Sequence, residues 1–244
     1  KVLDYIDEPF ADSSTIPFFI LANKTKQKIT VALSGDGADE IFSGYNKHSA
    51  EFIARKCSKI KFIFSLITPI LKILPQNRYN KYFDIIRQLS KLSSGITLSP
   101  KDRYWFWASF NDFDIIHSIL NISLDYNYFL TRKNNAISLI NHYDFHSTLF
   151  NDLKLVLEND MLRKVDLMSM ANSLEVRNPF LDYRIFEYIS NINTNNLIKY
   201  NNRKIILKQS FSDIIPKEIL TRKKHGFEIP LISFFKNQMR EYIN

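Results

Sequence analysis

Ile29-Thr30-Val31-Ala32-Leu33-Ser34-Gly35-Asp36-Gly37-Ala38-Asp39-Glu40 is the stretch on which the fold turns. Its first five residues are apolar or β-branched and lie between helical patterns, which predicts a short, buried parallel strand. The strand stops at Ser34-Gly35-Asp36-Gly37, and a second helix is expected from about Ala38. Upstream, residues 16–24 have helical spacing, with Pro17 tolerated in the first turn. Helix, strand, glycine-rich turn, helix is the layout of an open α/β sheet.

Ligands of such sheets bind beyond the carboxyl ends of the strands, and helix amino termini there favour anions. Gly35 and Gly37 are expected to supply positive φ or close backbone approach. The turn is not a dinucleotide fingerprint, because Glu40 fills the third glycine position, and no Gly-Lys-Ser/Thr follows to make a Walker loop. Asp36, Asp39 and Glu40 are ionised at neutral pH and would repel bare phosphate. A magnesium ion resolves the conflict, since hard oxygen ligands share it with substrate phosphates. The reading is a Mg-pyrophosphate or Mg-nucleotide site. Spacing alone leaves open a plain acidic helix start stabilised by the helix dipole.

Beyond residue 45 the strand signal nearly vanishes, and residues 46–172 read as mostly helical with breaks at Pro69, Pro75, Ser93-Ser94-Gly95 and Pro100. Residues 62–74 are too short and too interrupted to span a bilayer and read as a buried helix broken by Pro69. Tyr104-Trp105-Phe106-Trp107 is expected to pack between helices. With 244 residues, 45% of them hydrophobic, the chain can build a real core. The single cysteine, Cys57, excludes a disulfide framework and points to a reducing compartment, the cytoplasm. A net charge of +8 raises nucleic acid as a partner, but the cations are scattered and no basic-aromatic module is present. Neither nucleic acid nor membrane is expected as a partner. The opening Lys1-Val2-Leu3-Asp4 reads like the interior of a longer protein.

Residues 33–45, Leu-Ser-Gly-Asp-Gly-Ala-Asp-Glu-Ile-Phe-Ser-Gly-Tyr, closely resemble the second nucleotide-site motif of glutamine-hydrolysing asparagine synthetases. Four more motifs follow that family's order: residues 7–14, 165–171 and 175–182, and Arg222-Lys223-Lys224-His225-Gly226-Phe227. The resemblance implies that residues 1–244 are a partial synthetase domain. The implied fold class is α/β, a truncated adenine-nucleotide-hydrolase-like (ATP-pyrophosphatase) parallel sheet, predominantly helical here. It implies ATP and aspartate as substrates, Mg2+ as cofactor, and amide formation through an acyl-adenylate attacked by glutamine-derived ammonia. By position, Asp39 resembles the metal ligand, and Leu33, Ser34, Gly35 and Asp36 the lining of the nucleotide and acceptor site. Asp36 stands where some relatives have glutamate, one methylene shorter in its reach to a substrate amino group. Relatives of the family also amidate other carboxylates such as sugar acids, an alternative the sequence leaves open. Ser43 replaces a family glycine, a mild exchange if its backbone avoids the left-handed region.

Tyr45 resembles the family's tyrosine beside the reacting carbonyl, and Asp160 the carboxylate paired with it. Leu153, Leu157, Asp160, Lys164 and Met168 follow three-and-four spacing, so Asp160 and Lys164 share a core-facing stripe, and Asp166 lies on another face. Lys224 matches the lysine beside the nucleotide, where a fixed ammonium stabilises charge developing on phosphate and tetrahedral oxygen. Gly226 would let that loop close. Arg177 and Asp182 read as scaffold, and His142 and His146 as ordinary histidines. Cys57, read as mid-helix, cannot be the glutaminase nucleophile, which is an amino-terminal cysteine. Neither that domain nor a Ser-Gly-Gly-x-Asp-Ser loop occurs in this sequence. The missing upstream segments are therefore expected partners, and the isolated chain is expected to be inactive. Its open sheet edges invite self-association into a homo-oligomer. A non-catalytic helical interaction module is the alternative.

Overall fold

The computed structural model describes residues 1–77, 80–109, 113–120, 125–140, 144–222, 229 and 235–237. Helix α1, Thr15–Lys26, begins where Asp12 accepts from the amide and hydroxyl of Ser14 at 2.9 and 2.6 Å, closing the entry turn. Strand β1, Val31–Leu33, runs parallel to β2, Glu175–Arg177, with Val31 opposite Glu175 and Leu33 opposite Arg177. The amide of Ser34 extends the ladder to the Arg177 carbonyl at 2.8 Å. β1 is not buried as expected, and Leu33 is 73% exposed. Parallel strands are buried by layers on both faces, and among the described residues β1 has one partner strand.

After β1 comes α2, Ala38–Ile41, then α3, Asn46–Lys56, α4, Lys61–Ile73, and α5, Lys81–Thr97. Next are α6, Pro100–Ala108, α7, Phe113–Leu120, and α8, Tyr126–Ala136. Side-chain caps set several starts: Asn80 for α5, Asp125 for α8, and Ser99 for α6, where Pro100 needs no donor. Cys57 caps the end of α3 rather than lying mid-helix.

Two expected breaks are absent. α4 runs through Pro69, and beside it the hydroxyls of Thr68 and Ser93 reach the Phe64 carbonyl at 2.7 and 3.2 Å. Nor is α4 buried: it packs on α5 and leaves Phe62 73% and Ile73 84% exposed. α5 runs through Ser93-Ser94-Gly95, and the Trp107 indole packs on Gly95 so closely that a Cβ there would stand 2.4 Å from it.

Helix α9, His146–Asp152, continues through a π-helical stretch, Leu153–Leu162, into α10, Arg163–Met170, without leaving right-handed helical backbone at the junctions. Of the anticipated stripe, Leu157, Lys164 and Met168 are buried, Leu153 and Asp160 are half-buried, and Asp166 is exposed. Beyond β2 lie α11, Tyr183–Ser190, and α12, Thr194–Leu197. The antiparallel pair β3, Ile198–Lys199, and β4, Asn202–Arg203, leads into α13, Ile205–Ser210, and α14, Lys217–Thr221.

The main core joins Ala38, Ile41 and Phe42 to Phe52, Phe145, Leu149 and Ile189, with Leu197 and Ile198 sealing its far side. Phe52 and Phe145 meet edge-on, 6.4 Å between centroids, worth about 0.5–1.5 kcal/mol beyond their burial. A second cluster sets Tyr104 against Ile137 and Ile140, so the aromatic run packs between helices as expected. Among the described residues no helix is long and apolar enough to cross a membrane.

Candidate active site

The glycine turn lies at the carboxyl end of β1. Ser34 Oγ donates to Asp36 at 2.5 Å and folds that carboxylate back over the turn. Gly37 has φ +87°, and a Cβ there would sit 2.2 Å from Leu181 Cδ2, so only glycine lets Pro179–Leu181 close on the loop. Gly35 does not use the first of these liberties, since its φ is not positive, and its missing Cβ faces open space. The helix expected from Ala38 is a single turn of four residues, too short for aligned dipoles to draw an anion strongly. Ser43 overturns the mild exchange anticipated for it. Its φ is +61°, and its buried Oγ has no hydrogen-bond partner among the described residues.

Positive charge comes instead from a distant part of the chain. The β3–β4 hairpin and the start of α13 carry Arg203 and Lys204 to the glycine turn, where Lys204 Nζ lies 2.9 Å from Asp39 Oδ1. Gly44 makes this meeting possible, since a Cβ there would stand 1.8 Å from that oxygen and 2.4 Å from Lys204 Cε. Arg203 donates to the Gly44 carbonyl at 3.2 Å and to the side chain of Asn46. Burial, with the charges of Arg203 and Lys204, holds the Lys208 ammonium below the usual lysine range. Arg203 and Lys204 thus stand beside the turn, with Lys208 within electrostatic reach of both. Lys204 adopts left-handed backbone, φ +55°, an uncommon conformation for a residue with a Cβ. The sequence reading missed all three; the signal available to it was the run Arg203-Lys204-x-x-x-Lys208.

Asp39 is the expected metal ligand. Among the described residues no group of three or more His, Cys, Asp or Glu side chains could hold a metal ion. With Lys204 already against its carboxylate, the residues present do not fit as a resident magnesium site.

Tyr45 stands at the start of α3, and its hydroxyl donates to Glu40 at 2.5 Å, a pairing the sequence reading did not consider. Burial raises the Glu40 carboxyl pKa, against the pull of that hydrogen bond, and the charges of Asp39 and Asp152 add to the rise. Burial and then the Glu40 charge push the Tyr45 phenol far upward, so it keeps its proton. Beneath Tyr45 lies a buried network. Asp152 receives His48 Nε2 at 2.7 Å, Lys47 Nζ at 2.6 Å and the Tyr104 hydroxyl.

Asp160 reaches the same neighbourhood from the π-helical stretch. Its carboxyl is raised by burial and then by the charge of Asp12, while Lys164 and Lys47 oppose the rise. Lys164, on the same stripe, has tertiary partners: its Nζ lies 2.6 Å from Asp12 and 2.8 Å from Ser14 Oγ. Asp182 caps α11 and is held at about 2 by Arg184, and Arg177 is an exposed partner of Glu175, consistent with scaffold roles for both. Lys224, Gly226 and His142 lie outside the described residues.

The family model for asparagine synthase matches residues 1–244. The chain belongs to the asparagine synthase family. This asparagine synthase-family chain is 30% identical, over 245 residues, to asparagine synthetase (glutamine-hydrolyzing) 1 of Bacillus subtilis, covering 100% of itself and 37% of that protein. It is 28% identical over 241 residues to a putative asparagine synthetase (glutamine-hydrolyzing) of Mycobacterium tuberculosis, covering 95% of itself and 34% of the relative. A shorter match, 45% over 68 residues, links it to asparagine synthetase (glutamine-hydrolyzing) 3 of Bacillus subtilis. The chain spans about a third of the length of the relatives it matches end to end. No solved structure gives a significant match.

Proposed function

We propose that the protein carrying this chain is an ATP-dependent ligase that forms asparagine from aspartate and glutamine-derived ammonia, and that this chain is the carboxy-terminal part of its synthetase domain. The observation that carries the reading is the meeting of an acidic glycine turn with Arg203 and Lys204, behind which Lys208 adds a third positive charge. The turn offers carboxylates to an amino acid's ammonium, and the three cations suit a triphosphate. In this reading the substrate carboxylate attacks the α-phosphorus and pyrophosphate leaves. Ammonia then attacks the acyl-adenylate and expels AMP. Leu33, Ser34, Gly35 and Asp36 line the substrates, and Lys204 and Lys224 neutralise phosphate charge. Tyr45 accepts a proton from the attacking nitrogen as its own passes to Glu40, with Asp160 a second carboxyl nearby.

Magnesium would enter with the nucleotide, and Asp39 could meet it only after leaving Lys204. The sheet is proposed to be the edge of an adenine-nucleotide-hydrolase-like domain, with glutaminase and ATP-pyrophosphatase segments supplied by the rest of the protein. The chain alone, lacking a Ser-Gly-Gly-x-Asp-Ser cradle, is expected to be inactive and to self-associate through its exposed apolar surface, which sedimentation would reveal.

ATP–pyrophosphate exchange by the full-length protein tests the reading. Aspartate-dependent exchange that collapses in Lys204→Ala and Asp39→Ala supports it, and exchange indifferent to both substitutions overturns it. A second reading rests on Asp36, whose short carboxylate is tied to Ser34. Exchange driven by another acid, such as a sugar acid, in place of aspartate would select a related amide synthetase.

A further inference from the structure

We propose that His48 and Asp152 are positioning residues for Tyr45: Asp152 holds the buried imidazole in its Nε2–H form, and the bare Nδ1 anchors the backbone from which the phenol reaches Glu40. The inference rests on the reading of Tyr45 as the proton-relay residue.

The geometry assigns every proton. Asp152 and His48 are both fully buried. Asp152 takes the Lys47 ammonium and the Tyr104 hydroxyl as donors. An ionised carboxylate only accepts, so the His48 nitrogen 2.7 Å away, Nε2, carries the hydrogen. A neutral imidazole has one N–H, which leaves Nδ1 as an acceptor, and the Tyr45 amide lies 3.3 Å from it. The shifts agree, with burial holding His48 below its usual range and His48 and Lys47 outweighing burial at Asp152. An imidazolium would set N–H against N–H and break the anchor.

The contact is a capping arrangement in which histidine, three residues into α3, reaches back to the cap amide where Glu or Gln usually does. The same cluster fixes the ring: His48 lies 5.3 Å from the Tyr45 centroid, and the Lys47 ammonium, itself held by Asp152, lies 5.4 Å from it. Tyr45 is therefore held by its backbone and by its ring, and Asp152 is common to both restraints.

A double-mutant cycle in the full-length protein, reading kcat and KM for amide formation, tests this. Loss of a positioned relay costs about 10²-fold or more in Tyr45→Phe, and a displaced one about tenfold in Asp152→Asn with KM nearly unchanged. In the Tyr45→Phe background, Asp152→Asn should then cost less than about twofold, because its effect passes through the phenol. His48→Asn keeps an acceptor at the Nδ1 position and should retain more kcat than His48→Gln, which keeps only the donor to Asp152. The same further factor from Asp152→Asn in both backgrounds overturns the proposal while leaving Tyr45 its role. Full kcat in Tyr45→Phe overturns both. Should the variants fail to fold, 15N spectra of wild-type His48 at neutral pH decide: an Nε2–H imidazole is expected, and an Nδ1–H form or imidazolium overturns the proposal.

Discussion

Lys204 and Asp39, 165 residues apart in the chain, meet at 2.9 Å through a gap that glycine at position 44 leaves open. This ion pair joins the hairpin after α12 to the turn after β1 and gathers both charge types of the candidate site.

Gly44→Ala should disrupt that junction. The new methyl would stand 1.8 Å from Asp39 Oδ1, and either the carboxylate or Lys204 must leave. Overpacking of this kind costs about 1–3 kcal/mol. A lower urea midpoint, with loss of pyrophosphate exchange in the full-length protein, is the expected outcome.

Ser43→Gly should stabilise the fold. It relieves left-handed strain and removes a buried hydroxyl that has no partner among the described residues. Those gains outweigh the backbone entropy that glycine loses on folding, for a net of about 1 kcal/mol. Denaturant titration reads the change as a higher midpoint at constant slope.

Glu40→Gln should stabilise the protein in a pH-dependent way. The folded Glu40 carboxyl is raised above its unfolded value, so its contribution is fully present below about pH 4.5 and is lost as pH rises through the folded value. Glutamine keeps an oxygen for the Tyr45 hydroxyl and has no charge to bury. The variant should therefore melt higher than wild type at pH 8, with the gap closing toward pH 4. Thermal melts across that range check the sign.

Arg103→Met should unfold the junction of α3 and α6 more readily. The guanidinium grips both oxygens of the buried Glu51 at 2.7 Å, while Arg55 holds one of them at 2.6 Å. Removing one partner of a buried pair costs about 3–5 kcal/mol, and the remaining Arg55 should hold the loss to about 2–3 kcal/mol. Adding Arg55→Met should cost more than that single change alone, as a chemical denaturation series would show.

Local chemistry determined what the sequence could say by itself: the helix before β1, the strand and its stop, the helical body, and the five motifs that mark the family. Each depends on neighbours within a few residues, where spacing and turn chemistry act directly. Tertiary structure alone decided what depends on distant partners. β1 is exposed, with one flanking strand among the described residues, α4 keeps its course through Pro69 while packed on α5, and Lys164 turns to Asp12, 152 residues away in the chain. The contacts of Arg203 and Lys204 with the glycine turn and the Asp152–His48 anchor belong to the same class. Their positions follow from how the backbone packs, since a charge is drawn to whichever opposite charge the folded chain sets within reach.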